Sequence, residues 1–221
     1  MLHGYLSSKE AFSAQIAYYS RFFRVTAIDF LGFGQSGMLE RAFSVGDYAE
    51  WLKAVMIALG VLKPHVIAHS FGCRVAVKVA CNAPETFDKI VLTGPAGIIL
   101  KRGLSYRLKV GTYRFVKRFA PNFAERKFGS AEYRTLSPVM KESYKKIVNE
   151  DLRDCAKGVF NEVLIVEGDS DRVTTRAEAE IYTRCFPKAR MRIIQGGHFA
   201  FAENPVSFNL ITEEFFYGGS V

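Results

Sequence analysis

Ser70 lies in Ala68-His69-Ser70-Phe71-Gly72, between an apolar run, Val66-Ile67-Ala68, and a helix-like run from Arg74 to Ala80. A serine set where a strand turns sharply into a helix is held in a strained backbone conformation with its hydroxyl presented, the arrangement of a nucleophile. Small residues two before and two after it keep side chains from colliding across the turn, and Ala68 and Gly72 meet that requirement. The usual pattern has glycine at both places, so Ala68 departs from it. Taken alone, the pentapeptide also fits a buried serine in an ordinary strand–helix turn, and the rest of the chain must decide.

A serine hydroxyl needs a base, and the base needs a group to orient it. The chain has four histidines. His69 adjoins Ser70 and is expected to point to the opposite face of the strand. His65 opens the same strand as a surface or edge residue, and His3 is near the N-terminus. His198 follows a strand-like run, Met191 to Ile194, and two glycines, Gly196-Gly197, that free it for an exposed loop. It is the candidate base; in isolation it would read as a solvated loop histidine. The orienting carboxylate is expected on a loop after another strand. Val163-Leu164-Ile165-Val166, closed by Glu167, is a continuous apolar run, as a parallel strand covered on both faces requires. It ends in Gly168-Asp169-Ser170-Asp171. Asp169, directly after the glycine, suits a turn-stabilising role. Asp171, further along the loop, is the preferred partner of His198.

The elements that must hold these residues alternate. Strands are expected at 23–29, 65–69, 89–93, 161–167 and 189–195. Helices are expected at 44–59 (capped by Ser44 and stopped by Gly60), 71–82, 175–186 and 205–216. Between them, 97–157 has helical periodicity and no strand. This pattern predicts an α/β fold: a mostly parallel central sheet with helices on both faces and an inserted helical cap. The expected division is a core of residues 1–96 and 158–221 with a cap at 97–157. Ser70, Asp171 and His198 all follow the C-terminal ends of strands, where ligands bind in open α/β sheets.

In this order, Ser70, Asp171 and His198 resemble the α/β-hydrolase superfamily, in its compact capped bacterial form. Three stretches carry the resemblance together with Gly168 to Asp171 and Gly197-His198. His3-Gly4-Tyr5 is similar to the H-G-x turn after that fold's third strand. Asp29-Phe30-Leu31-Gly32-Phe33-Gly34-Gln35-Ser36 is similar to its D-x-x-G-x-G-x-S loop after the fourth. The third is the turn at Ser70. The resemblance implies an oxyanion hole from the backbone N–H groups of Phe71 and Tyr5. It also implies two further strands and most of a third before the H-G turn, whereas this sequence begins Met1-Leu2-His3. The expectation is a shortened form, less stable and less active than one extended upstream.

The 221 residues, 49% of them hydrophobic, suffice for a sizeable core. No apolar run reaches the length of a membrane span, and no basic-then-apolar leader precedes the first motif. Four cysteines without C-x-x-C spacing fit a reducing, cytoplasmic setting. No metal or cofactor is expected. Gly32-Phe33-Gly34-Gln35-Ser36-Gly37 matches a dinucleotide fingerprint, but Met38 to Phe43 separates it from the next helix, so no pyrophosphate would meet a helix N-terminus. Residues 97–160 carry 15 Lys and Arg against 6 Asp and Glu, and the rest of the chain 15 against 16. Within that stretch Leu104, Leu108, Phe115 and Phe119 recur at helical spacing among basic residues. This fits a cap helix with solvated charges, or a lid that attracts anionic substrates or rests weakly on an anionic membrane. No nucleic-acid-binding motif accompanies the charge. The expected function is a serine hydrolase acting on a small carboxylic ester or related acyl substrate. The alternative is a non-catalytic ligand-binding protein of the same fold. Oligomeric state has no signal in the sequence.

Overall fold

The computed structural model describes residues 1–100, 133 and 135–218. Four strands, β1 (Val66–His69), β2 (Ile90–Thr93), β3 (Val163–Gly168) and β4 (Ala189–Ile194), form a parallel sheet in that order. The registers Ala68↔Leu92, Leu92↔Ile165 and Ile165↔Met191 run across it. Every residue of β1, β2 and β3 is buried, while β4 is largely half-buried or exposed. The continuous apolar runs β2 and β3 are thus the inner strands, β1 ends the ladder on one side, and Ala189-Arg190-Met191-Arg192 forms the other edge, where arginines discourage further pairing.

Side chains alternate between two apolar layers. Ile90, Leu92, Val163 and Ile165 join one core with helices α2 (Val45–Ala58), α3 (Phe71–Asn82), α4 (Pro138–Val148), α5 (Arg153–Lys157) and α6 (Arg176–Cys185). Ile67, Val91, Leu164 and Val166 join the other, with α1 (Ser13–Tyr19), α7 (Ala200–Glu203) and α8 (Pro205–Tyr217). Helices thus cover both faces, as the sequence predicts. α2 begins at a capping box: Ser44 Oγ accepts from the Asp47 N–H and Asp47 accepts from the Ser44 N–H. Of the expected insertion, α4 and α5 lie among the described residues and bury Met140, Ile147 and Ala156 in the first core. The basic amphipathic stretch between Arg102 and Phe119 lies outside the described residues. Among those described, no helix is long and apolar enough to cross a membrane.

The strand expected at 23–29 is not one. Only Ile28 makes a sheet contact, a single parallel bridge to Leu2, which also bridges Ala68 of β1. The apolar composition suits a strand, but a strand exists only where a neighbour completes the ladder. Beside residues 24–28 and the entry to β1 there is instead a cavity of about 490 Å³, lined by Met1, Val25, Thr26, Ile28 and Val66 among others. It opens at the end of β1 opposite Ser70. Leu2 is nonetheless tightly held, its N–H donating to Ile67 O (2.9 Å) and its carbonyl accepting from His69 N–H (2.9 Å).

Candidate active site

Ser70 is the residue where β1 becomes α3, with φ 48° and ψ −105°. A non-glycine residue at positive φ is strained, and the surrounding hydrogen bonds hold it there. Its N–H donates to Thr93 O (3.1 Å) and its carbonyl accepts from Cys73 N–H (3.1 Å). Gly72 must be small for a reason other than the expected collision across the turn. A Cβ there would stand 2.3 Å from Leu2 O and 2.8 Å from His3 O. The constraint comes from the incoming N-terminal segment, and Ala68, with its methyl fully buried, satisfies its side of the turn.

That contact brings the H-G-x turn to the serine. His3 is fully buried; its Nδ1–H donates to Gly4 O (2.7 Å) and its Nε2 accepts from Phe30 N–H (3.0 Å). One proton on Nδ1 satisfies both bonds, and burial lowers the ring's pKa, keeping it neutral. The ring fastens the turn to the start of the 29–36 loop. A Cβ on Gly4 would lie 3.5 Å from Ser70 Cβ, so Gly4-Tyr5 lies against the serine. Neither Tyr5 N–H nor Phe71 N–H donates to a protein acceptor among the described residues. The 29–36 loop closes on Asp29, whose carboxylate accepts from Gln35 N–H (3.0 Å), Lys9 N–H (2.7 Å) and Lys9 Nζ (2.8 Å). Burial pushes that carboxyl up, but these bonds outweigh it and hold it at about 2. The loop is thus a turn folded around the Asp29 carboxylate.

His198 and Asp171, 27 residues apart, meet: Nδ1–H donates to Asp171 Oδ2 at 2.7 Å. The Asp171 side chain is fully buried, and that of His198 is 13% exposed. Asp171 Oδ1 also accepts from Val173 N–H (2.7 Å) and Thr174 N–H (3.1 Å), and Oδ2 from Thr174 Oγ1 (2.9 Å). Burial alone would raise its pKa; the His198 bond and the Val173 N–H outweigh burial and lower it. Asp171 is therefore ionised, and it selects the tautomer that leaves His198 Nε2 as an acceptor. The other aspartate does different work: Asp169 Oδ1 accepts from Gly196 N–H (3.1 Å), clamping the histidine loop. Gly94, at φ +49°, makes room for the pair; a Cβ there would stand 3.1 Å from His198 Nδ1 and 3.3 Å from Asp171 Oδ2.

No hydrogen bond joins Ser70 Oγ to His198 among the described residues. The two are linked through His69, whose Nε2–H donates to His198 O (2.9 Å) and whose ring lies 4.7 Å from the imidazole of His198. Burial lowers His69 to about 3, so it stays neutral and acts as a strut. His69, expected from the sequence to point to the opposite face, lies against His198, and Gly94 and Thr174 are site residues that the sequence did not mark. Thr174 carries a faint signal, three residues after Asp171, the spacing of a side-chain-closed turn. His65 stacks on Phe216 at 4.7 Å, away from the site, as its edge position predicts. Among the described residues no cluster of three or more metal-ligating side chains occurs.

Comparison with known proteins adds to this geometry. Over 87% of its length the chain is 25% identical to 2-hydroxymuconate semialdehyde hydrolase of Pseudomonas putida, covering 76% of that protein. Over 43% of its length it is 33% identical to carboxylesterase YbfK of Bacillus subtilis, covering 33% of that protein. A hydrolase from Oleispira antarctica superposes with a TM-score of 0.79 at 16% identity, covering 99% of this chain and 90% of that one. The model for the alpha/beta hydrolase fold matches residues 1–138, and the chain belongs to that family.

Proposed function

We propose that this protein is a serine hydrolase that cleaves a carboxylic ester or related acyl compound through an acyl-enzyme. The observation that carries the proposal is the buried 2.7 Å pair of Asp171 and His198 at the same sheet end as a strained, half-buried Ser70. In this scheme Ser70 Oγ attacks the carbonyl carbon and its proton passes to His198 Nε2. Asp171 stabilises the imidazolium that forms. Negative charge gathers on the carbonyl oxygen, and in this scheme the N–H groups of Phe71 and Tyr5 receive it. His198 then protonates the departing alcohol, and water, activated by the same base, releases the acid and restores Ser70. The likeness to carboxylesterase YbfK supports an ester substrate, while the likeness to a semialdehyde hydrolase shows that the fold does not choose one.

Ser70→Ala is expected to abolish hydrolysis of p-nitrophenyl acetate and labelling by a fluorophosphonate, with the melting temperature retained. Labelling that persists in Ser70→Ala refutes the assignment. A wild-type protein that neither labels nor turns over leaves the fold as a ligand-binding scaffold.

A further inference from the structure

Glu167 is the last but one residue of β3, and its side chain is wholly buried. Strand parity sets it on the face of Val163 and Ile165, under α3 and α6. Neither carboxyl oxygen has a hydrogen-bond partner if the group is written as an anion. A buried, unpartnered carboxylate would be costly, and such groups neutralise instead. Four residues on, Asp171 stands within hydrogen-bonding reach. Two anions offer no donor to each other, so only a proton between them satisfies the pair. Asp171 already accepts from His198, Thr174 and two backbone N–H groups, which fixes it as the ionised member.

We propose that Glu167, as a neutral carboxylic acid, donates a hydrogen bond to Asp171 and is a positioning residue for the reaction. It supports from behind the carboxylate that orients His198. The inference rests on the hydrolase reading of the site. Around Glu167 the titratable groups are Asp171 on the following loop, Glu178 in the first turn of α6 and Cys73 in α3. Burial, then the charges of Asp171 and Glu178, push Glu167 up to about 8. No cation faces it among the groups acting on it. Above that pH it becomes a second anion beside Asp171; the donor is lost and repulsion draws Asp171 from the imidazole.

The test compares wild type with Glu167→Gln, a neutral donor of the same shape, and Glu167→Met, which keeps volume and loses the donor. For p-nitrophenyl acetate, wild-type kcat/KM is expected to fall about tenfold per pH unit above the Glu167 ionisation, as loss of one essential proton dictates. Glu167→Gln removes that fall. Glu167→Met lowers kcat about tenfold at neutral pH with KM unchanged, the loss of one charge-assisted hydrogen bond, and Glu167→Gln recovers most of it. Nitrogen-15 NMR of the His198 ring, without substrate, is expected to show a second inflection near that pH in wild type and none in Glu167→Gln. Turnover with matching pH profiles and matching ring titrations in all three proteins overturns the inference about Glu167. Absent turnover with the ring inflection intact overturns the hydrolase reading alone and leaves the Glu167–Asp171 pair standing.

Discussion

Asp171 accepts four hydrogen bonds within the site, and in the proposed reaction one of them decides whether His198 can act as the base. A carboxylate opposite Nδ1 accepts a hydrogen bond from that N–H, which fixes the proton there and leaves Nε2 unprotonated, the form a base needs. An amide in its place can turn its NH2 group toward Nδ1 and stabilise the other tautomer. Asp171→Asn is therefore expected to lower kcat by about 10⁴-fold while KM changes little. Steady-state kinetics on p-nitrophenyl acetate, with circular dichroism to check the fold, measures this. A loss under tenfold would remove Asp171 from the mechanism. Asp169→Asn serves as the contrast: its partner is the Gly196 N–H, and an amide oxygen still accepts that bond.

At the scale of elements, what was legible in sequence is what local signals specify. The turn at Ser70 could be read because strand, small residues and helix follow one another in a dozen positions. α2 could be read from Ser44 and Gly60. The strand expected at 23–29 failed because a ladder depends on the neighbour, and its neighbour is a single residue, Leu2. The opposite miss is α1, seven residues long and without a side-chain cap at Phe12. Too short to persist alone, it is held by buried Gln15 and Tyr19 bonding to Phe201, Asn209 and Thr212 near or within α8. Glu167 was hidden for a similar reason: its burial comes from α3 and α6, which its own strand does not reveal. The contact between α3 and the N-terminal segment yields a test. Gly72→Ala would set a methyl 2.3 Å from the carbonyl oxygen of Leu2, a residue fixed by two backbone hydrogen bonds. Relief requires Leu2-His3 to move, carrying Tyr5 from Ser70. A stability loss of about 1–3 kcal/mol is expected, read as a lower urea midpoint, with a fall in esterase activity that persists well below the melting range. Unchanged midpoint and activity would refute the placement of the His3-Gly4-Tyr5 turn.

For the whole molecule, the buried titratable groups pull stability in opposite directions with pH. Asp29, held at about 2 against an ordinary 3.8, favours the folded state above that range and loses its contribution as pH falls. His69, lowered by burial to about 3 from 6.5, acts with the same sign: stability falls as pH drops from 6.5 toward 3, because only the unfolded chain takes up the proton. His3, lowered by burial, adds to it. Glu167 has the reverse sign. Raised by burial from 4.5 to about 8, it keeps its proton in the fold and loses it in the unfolded chain, so stability declines as pH climbs through that window. Each such one-proton difference is worth about 1.4 kcal/mol per pH unit. The Met1 amino group, lowered by burial from 8.0 to about 5, acts with the sign of His69, so it too opposes Glu167 as pH rises toward 8. Wild-type and Glu167→Gln melting temperatures are therefore expected to coincide below about pH 4.5 and to diverge above it. Glu167→Gln removes the falling contribution alone. Its melting temperature should exceed wild type by a margin that widens from about pH 4.5 toward pH 8, because every other group contributes alike to both curves. Thermal melts in steps of half a pH unit measure both curves. Parallel curves across that range would mean that Glu167 ionises alike in the folded and unfolded chain, and the buried proton beside Asp171 would have no place in the structure.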